Sequence, residues 1–63
     1  MTGTIQVVDR EERSGLLTYG IKTEQGLKWY VTHLDAGVTK GDNVQYTIYE
    51  NLYMSAIDSI TKI

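Results

Sequence analysis

Apolar and polar positions alternate with a period of two along most of this chain, and turn-forming residues interrupt the alternation at short intervals. Successive side chains of a strand point to opposite faces, so each alternating segment acquires one face for a core and one for water. The pattern predicts five short strands. The first covers Gly3–Asp9, with Ile5 and Val7 set against Thr4, Gln6 and Val8. Asp9-Arg10-Glu11-Glu12-Arg13-Ser14 follows as a charged bend, whose default place is in water. The second strand covers Gly15–Thr23. Glu24-Gln25-Gly26 then closes a hairpin, Gly26 supplying the positive φ that such turns often need. The third strand covers Leu27–Leu34.

Asp35-Ala36-Gly37-Val38-Thr39 reads as a connector with room for one helical turn, and Lys40-Gly41-Asp42-Asn43 as a tight turn. The fourth strand covers Asn43–Tyr49, where Val44, Tyr46 and Ile48 alternate against Gln45, Thr47 and Tyr49. Glu50-Asn51 is a further turn, and the last strand lies within Ser55–Lys62. Ile57 and Ile60 are three apart, which strict alternation forbids, so a bulge or a corner is expected near Asp58-Ser59. Alternation assigns Tyr19, Tyr30 and Tyr46 to the core face. No repeat, low-complexity stretch or linker appears, so residues 1–63 are expected to form one domain. Five short strands without a convincing helix point to a small barrel, because closing the sheet removes exposed edges. On these grounds an OB-type barrel and an SH3-like barrel both fit.

Composition sharpens the picture. A chain of 63 residues buries only ~60% of the surface its unfolded form exposes, so the core is small. There is no Cys, which removes disulfides, thiolate metal sites and thiol nucleophiles, and fits a reducing cytoplasm, the expected location. No run approaches the ~18 apolar residues of a membrane span, and the N-terminus lacks the regions of a signal peptide, so no membrane association is expected. The net charge is −2 and the six Lys and Arg residues are scattered, which argues against gripping duplex phosphates by bulk charge. A single-stranded nucleic-acid binder stays open, since stacking can share the load with charge.

Candidate chemistry concentrates in Trp29-Tyr30-Val31-Thr32-His33-Leu34, which holds the only Trp and the only His. Alternation places Trp29, Val31 and His33 on one face, where Trp29 and His33 can stack on bases or serve as half-buried packing. Tyr49 and Tyr53 can join Trp29 in an exposed aromatic patch that marks a protein contact. His33 and Asp35 stand two apart without a third ligand, so no metal is expected, and no cofactor motif is visible. With one His, no Cys and no nucleophile–base pair, the chain is not expected to be an enzyme.

Taken in order, the residues resemble the cold-shock domain family, a five-stranded OB-fold. Gly3-Thr4-Ile5-Gln6-Val7-Val8-Asp9 falls on its G-x-V-K-W-F-N opening. Glu12-Arg13-Ser14-Gly15-Leu16-Leu17-Thr18 falls on K-G-F-G-F-I-T, and Tyr30-Val31-Thr32-His33-Leu34 on V-F-V-H-F. Lys40-Gly41-Asp42-Asn43-Val44-Gln45-Tyr46-Thr47-Ile48 is similar to E-G-x-x-V-x-F-x-I, and Ala56-Ile57-Asp58-Ser59-Ile60-Thr61-Lys62-Ile63 to A-x-x-N-V-T-x-I. The resemblance covers nearly the whole chain. It implies an all-β, small five-stranded antiparallel OB-type barrel that binds single-stranded RNA or DNA on an aromatic platform.

Most of that platform is replaced. The strand-one Trp position holds Val7, and the second-strand Phe positions hold Ser14 and Leu16. The third-strand Phe positions hold Val31 and Leu34, the loop Lys position holds Glu12, and only His33 keeps its identity. Stacking contributes ~1–3 kcal/mol per base, so the resemblance implies weak binding. The expected site is the face of strands two and three. There Trp29 and His33 stack on bases, Leu16 and Val31 form an apolar floor, and Lys28 or Arg13 touches phosphate. The alternative is a barrel that has lost nucleic-acid binding and contacts a protein partner, or a second copy of itself, through its Trp and Tyr rings.

Overall fold

The computed structural model describes residues 1–63 and contains strands and turns only. The strands are β1 (Thr2–Arg10), β2 (Leu17–Thr23), β3 (Gly26–Thr32), β4 (Asn43–Glu50) and β5 (Ser55–Lys62). They close into a barrel in the order β1-β2-β3-β5-β4, with β4 returning to β1. The β1–β2, β2–β3, β4–β5 and β1–β4 pairs are antiparallel, whereas β3 and β5 are parallel and meet through Val31 and Ala56. The barrel is therefore mixed, which corrects the wholly antiparallel expectation. The reason is parity. An odd number of strands cannot alternate direction all the way around a closed ring, so at least one neighbouring pair must run the same way.

Alternation places the core as expected at most positions. Ile5, Leu17, Tyr19, Ile21, Tyr30, Val44, Tyr46 and Ile57 are buried, and Val38 joins them from the β3–β4 connector. Full burial of an aliphatic or aromatic side chain stabilises by about 1.5–3 kcal/mol, which makes this cluster the main stabilising feature of so short a chain. Val7 departs from the pattern. The register passes from Ile5 opposite Ile21 to Val7 opposite Gly20, which leaves Gln6 unmatched in a bulge. The extra residue reverses the facing, and Val7 turns outward, 38% exposed.

The bulge expected in the last strand is present. Thr47 faces Ser59 and Ile48 faces Ile57, so Asp58 has no partner across the ladder. That insertion lets Ile57 stay buried while Ile60 also packs against the core. At the hairpin between β2 and β3, Gly26 has φ 108°, in the left-handed region that side chains disfavour.

The connector forms no helical turn. Thr32 Oγ1 accepts the Leu34 amide at 2.9 Å, which ends β3 at Thr32 and leaves His33 and Leu34 beyond the strand. Asp35 Oδ1 accepts the Gly37 amide and Asp42 Oδ2 the Thr39 amide, each at 2.9 Å. These side chains offer the backbone partners that compete with a helix. The Ile5 backbone bonds to Gly41 and Asp42. The segment is thus a strap laid across the barrel, and it drives Val38 into the interior.

Candidate nucleic-acid interface

The outer face of the β2–β3 hairpin is built in rows. Gly20 stands opposite Trp29 and Thr18 opposite Val31, and the pairing ends at Leu17 and Thr32, one residue short of Leu16 and His33. Trp29 is 52% exposed. Its six-membered ring covers Gly20 so closely that a Cβ placed there would lie 3.0 Å from Trp29 Cζ3. Glycine inside a strand marks such a close approach. Part of the indole therefore packs on the hairpin, as the packing expectation had it, and the rest is open. Val31 is half-buried between Thr18 and Ala56. His33 is exposed in the bend that follows β3, and Leu16 is half-buried in the lead into β2.

Trp29 forms one wall of a groove of about 510 Å³, whose other wall is the β4–β5 turn carrying Leu52, Tyr53 and Met54. Asn51 holds this turn. Its Oδ1 accepts the Tyr53 amide at 2.8 Å and the Met54 amide at 3.0 Å, and its own amide donates to the Met54 carbonyl. The turn lifts Leu52 and Tyr53 clear of the barrel, 95% and 91% exposed. Tyr53 thus lines the same groove as Trp29, while Tyr49 is exposed outside it. Leu52, Met54, Glu50 and the Gly20 platform were absent from the expected site. Two signals pointed to them: a glycine within an alternating strand, and an apolar run placed in a turn.

The electrostatics of the groove are sparse. Glu50 is the only charged residue lining it, and Glu50 Oε2 accepts the Ser55 hydroxyl at 2.9 Å. Lys28 does not join the site. It alternates with Trp29 and lines a different opening, beside Tyr30 and Tyr46. Arg13 is exposed in the loop between β1 and β2 and forms no ion pair. Arg10 is engaged with Asp35. The Gly37 amide, and after it the Arg10 guanidinium, hold the Asp35 carboxyl below its ordinary pKa. No cluster of His, Asp and Glu side chains is arranged to hold a metal. Nor is any helix long and apolar enough to cross a membrane.

The fold and the groove define a closed five-strand β-barrel with an aromatic cleft between its central hairpin and its last turn. No family model, curated protein or solved structure matches the chain.

Proposed function

We propose that this protein is an OB-type barrel of the cold-shock kind that binds single-stranded RNA or DNA weakly, in the groove beside Trp29. The observation that carries this reading is the half-open indole braced on Gly20, in a groove that the exposed Tyr53 also lines. OB-folds bind oligonucleotides on the face of their second and third strands, between the loops that follow strands one and four. The groove is lined by Thr18 of β2, Trp29, Tyr30 and Val31 of β3 and the β4–β5 turn, which supports this reading, while no residue of the β1–β2 loop lines it. Bases stack on Trp29 and Tyr53 over Val31, while Leu16 and His33 do not line the groove and lie just beyond the paired ends of β2 and β3. Arg13 remains the candidate phosphate contact, from the first loop.

Stacking then carries the affinity, at about 1–3 kcal/mol per base. With net charge −2 and no cation lining the groove, few phosphates are neutralised, so the salt dependence is shallow. Titration of the protein with oligo-dT and oligo-U, followed by Trp29 fluorescence and amide shifts, tests the reading. Quenching with shifts along β2, β3 and the Asn51–Met54 turn supports it. An unmoved Trp29 signal at millimolar oligonucleotide overturns it.

A second reading rests on Glu50 and on the exposure of Leu52 and Tyr53. An apolar groove whose only charge is negative also fits a protein surface, on a partner or on a second copy of this chain. Light scattering that shows self-association lost in Trp29→Ala, with no oligonucleotide response, selects this reading.

A further inference from the structure

The hydrogen-bond directions around the barrel leave part of β3 without a partner. In an antiparallel ladder a residue's N–H and C=O point to the same side, and successive residues point to opposite sides. Ile5 donates its N–H to the Asp42 carbonyl and accepts the Gly41 amide, so it faces the β4 side of β1. Its neighbour Thr4 therefore faces β2, and the register partner Lys22 faces β1. On β2, Ile21 and Thr23 then face β3, which turns their partners Lys28 and Gly26 towards β2. Leu27 and Trp29 are left pointing to the far side of β3. There β5 pairs with β3 only at Val31, opposite Ala56. None of the backbone bonds formed by the turns and loops reaches Leu27 or Trp29. The N–H and C=O of Leu27 and the N–H of Trp29 thus form a short open strand edge.

Side chains give this edge a chemical character. Leu27 and Trp29 are exposed on its outer face. Lys28, between them, lies on the inner face, in an opening of about 390 Å³ beside the β2–β3 turn. That opening carries two positive groups, Lys28 and the Met1 ammonium, against one negative, Glu24. The ammonium donates to the Tyr46 carbonyl at 2.9 Å. The molecule's ion pairs are Arg10–Asp35 and Lys62–Asp42, so Lys28 has no charged partner. An inward-pointing charge guards an open edge against pairing with its own kind. Two-fold pairing of β3 with β3 of a second copy, Leu27 opposite Trp29, would set Lys28 against Lys28, and like charges directly opposite are destabilising.

We propose that the Leu27–Trp29 edge accepts an extended peptide carrying an acidic residue between two apolar ones, added as an extra antiparallel strand. Leu27 exchanges two hydrogen bonds with one apolar residue, and the Trp29 N–H donates to the carbonyl of the other. The apolar side chains lie beside Leu27 and Trp29, and the carboxylate between them faces Lys28. The charge that repels a second copy of β3 is the one that attracts this partner. The proposal does not rest on the nucleic-acid reading, since it uses the Trp29 backbone and stacking uses the indole.

The test is an amide-shift titration of the whole chain with the acetylated and amidated pentapeptide Ser-Val-Glu-Val-Ser. Its controls are the same peptide N-methylated at both valines, which removes strand donors and keeps the side chains, and Ser-Val-Lys-Val-Ser. Without peptide, the Leu27 and Trp29 amides are expected to exchange with solvent about tenfold or more faster than those of Lys28 and Tyr30. The glutamate peptide is expected to move the Leu27 and Trp29 amides downfield and to slow their exchange. N-methylation should weaken binding about tenfold. The lysine peptide, and the glutamate peptide on Lys28→Met, should each bind about fivefold more weakly. Lys28 is exposed, so the variant keeps the fold. Absence of shifts at millimolar glutamate peptide overturns the proposal, as does binding indifferent to N-methylation or to the charge changes. Shifts of the same amides on concentrating the protein alone would put a second copy on the edge and overturn it as well. The oligonucleotide titration is run without peptide, so either reading can fail while the other stands.

Discussion

Trp29 lies across Gly20 on the neighbouring strand, its six-membered ring in tight contact with the place where a β-carbon would stand. A hypothetical Gly20 Cβ comes within 3.0 Å of Cζ3 and 3.2 Å of Cη2, so any side chain at this position displaces the indole. Gly20→Ala is therefore expected to shift the ring outward by a few tenths of an ångström. Overpacking typically costs 1–3 kcal/mol in a core, and because the half-exposed indole can give way the expected loss is at most about 1 kcal/mol, read as a lower urea midpoint. Trp29 emission should shift to the red, and oligonucleotide quenching should weaken with it.

Trp29 and Lys28 are sequence neighbours on opposite faces of β3, and they should separate cleanly in binding. Trp29→Ala is expected to lose about 1–3 kcal/mol of oligonucleotide affinity, the contribution of one stacked base. Lys28→Ala should leave that affinity unchanged, because the side chain lines the other opening. Fluorescence cannot follow the Trp29 variant, so anisotropy of a labelled oligonucleotide is the measurement. Equal losses in the two variants would contradict the assignment of the groove.

Val38 is the strap's contribution to the core, 6% exposed. Val38→Ala removes two methyl groups there and leaves a void, with an expected cost of about 1–3 kcal/mol. In a domain whose whole stability is of the order of 3–9 kcal/mol, that is a large fraction. Equilibrium urea unfolding gives the value. Hydrogen exchange should show faster opening at Ile5, whose backbone the strap engages.

Stability should fall at both ends of the pH scale. Asp35 and Asp42 have depressed pKa values, caused first by the Gly37 and Thr39 amides and then helped by Arg10 and Lys62. A depressed folded-state value means stability that is present above the ordinary carboxylate value of 3.8 and lost as pH falls below it. Tyr19 and Tyr46 behave oppositely. Burial, the largest cause for each, raises them above the ordinary 10.0, so their contribution is complete below pH 10.0 and is lost as pH rises beyond it. Urea midpoints measured across pH should be flat between these limits. Asp42→Asn should lower the midpoint at neutral pH and reduce the drop on the acid side. A midpoint that rises on acidification would refute the assignment.

The pattern of alternating residues was enough to define the strands. Each segment had to bury one face, so Tyr19, Tyr30, Val44 and Tyr46 could be placed in the core without knowing their neighbours. Gly26 at the hairpin and the broken spacing of Ile57 and Ile60 were equally local signals, because turn and bulge geometry is set by a few adjacent residues. Trp29 was marked as the centre of the candidate site by its rarity and its strand face. What one strand's own pattern cannot reveal is its partner. The bulge at Gln6, which turns Val7 outward, exists only because β1 must match β2 and then β4. The connector's length allowed a helical turn, and the Ile5 backbone, which bonds Gly41 and Asp42 across the barrel, together with the local acceptors Asp35 and Asp42, made it a strap instead. The parallel β3–β5 seam follows from closure of an odd ring. The groove wall of Leu52, Tyr53 and Met54 reaches Trp29 only once β5 lies beside β3, since those residues are more than twenty positions away along the chain. Local periodicity determined which face each residue takes; contact between distant segments decided which faces meet.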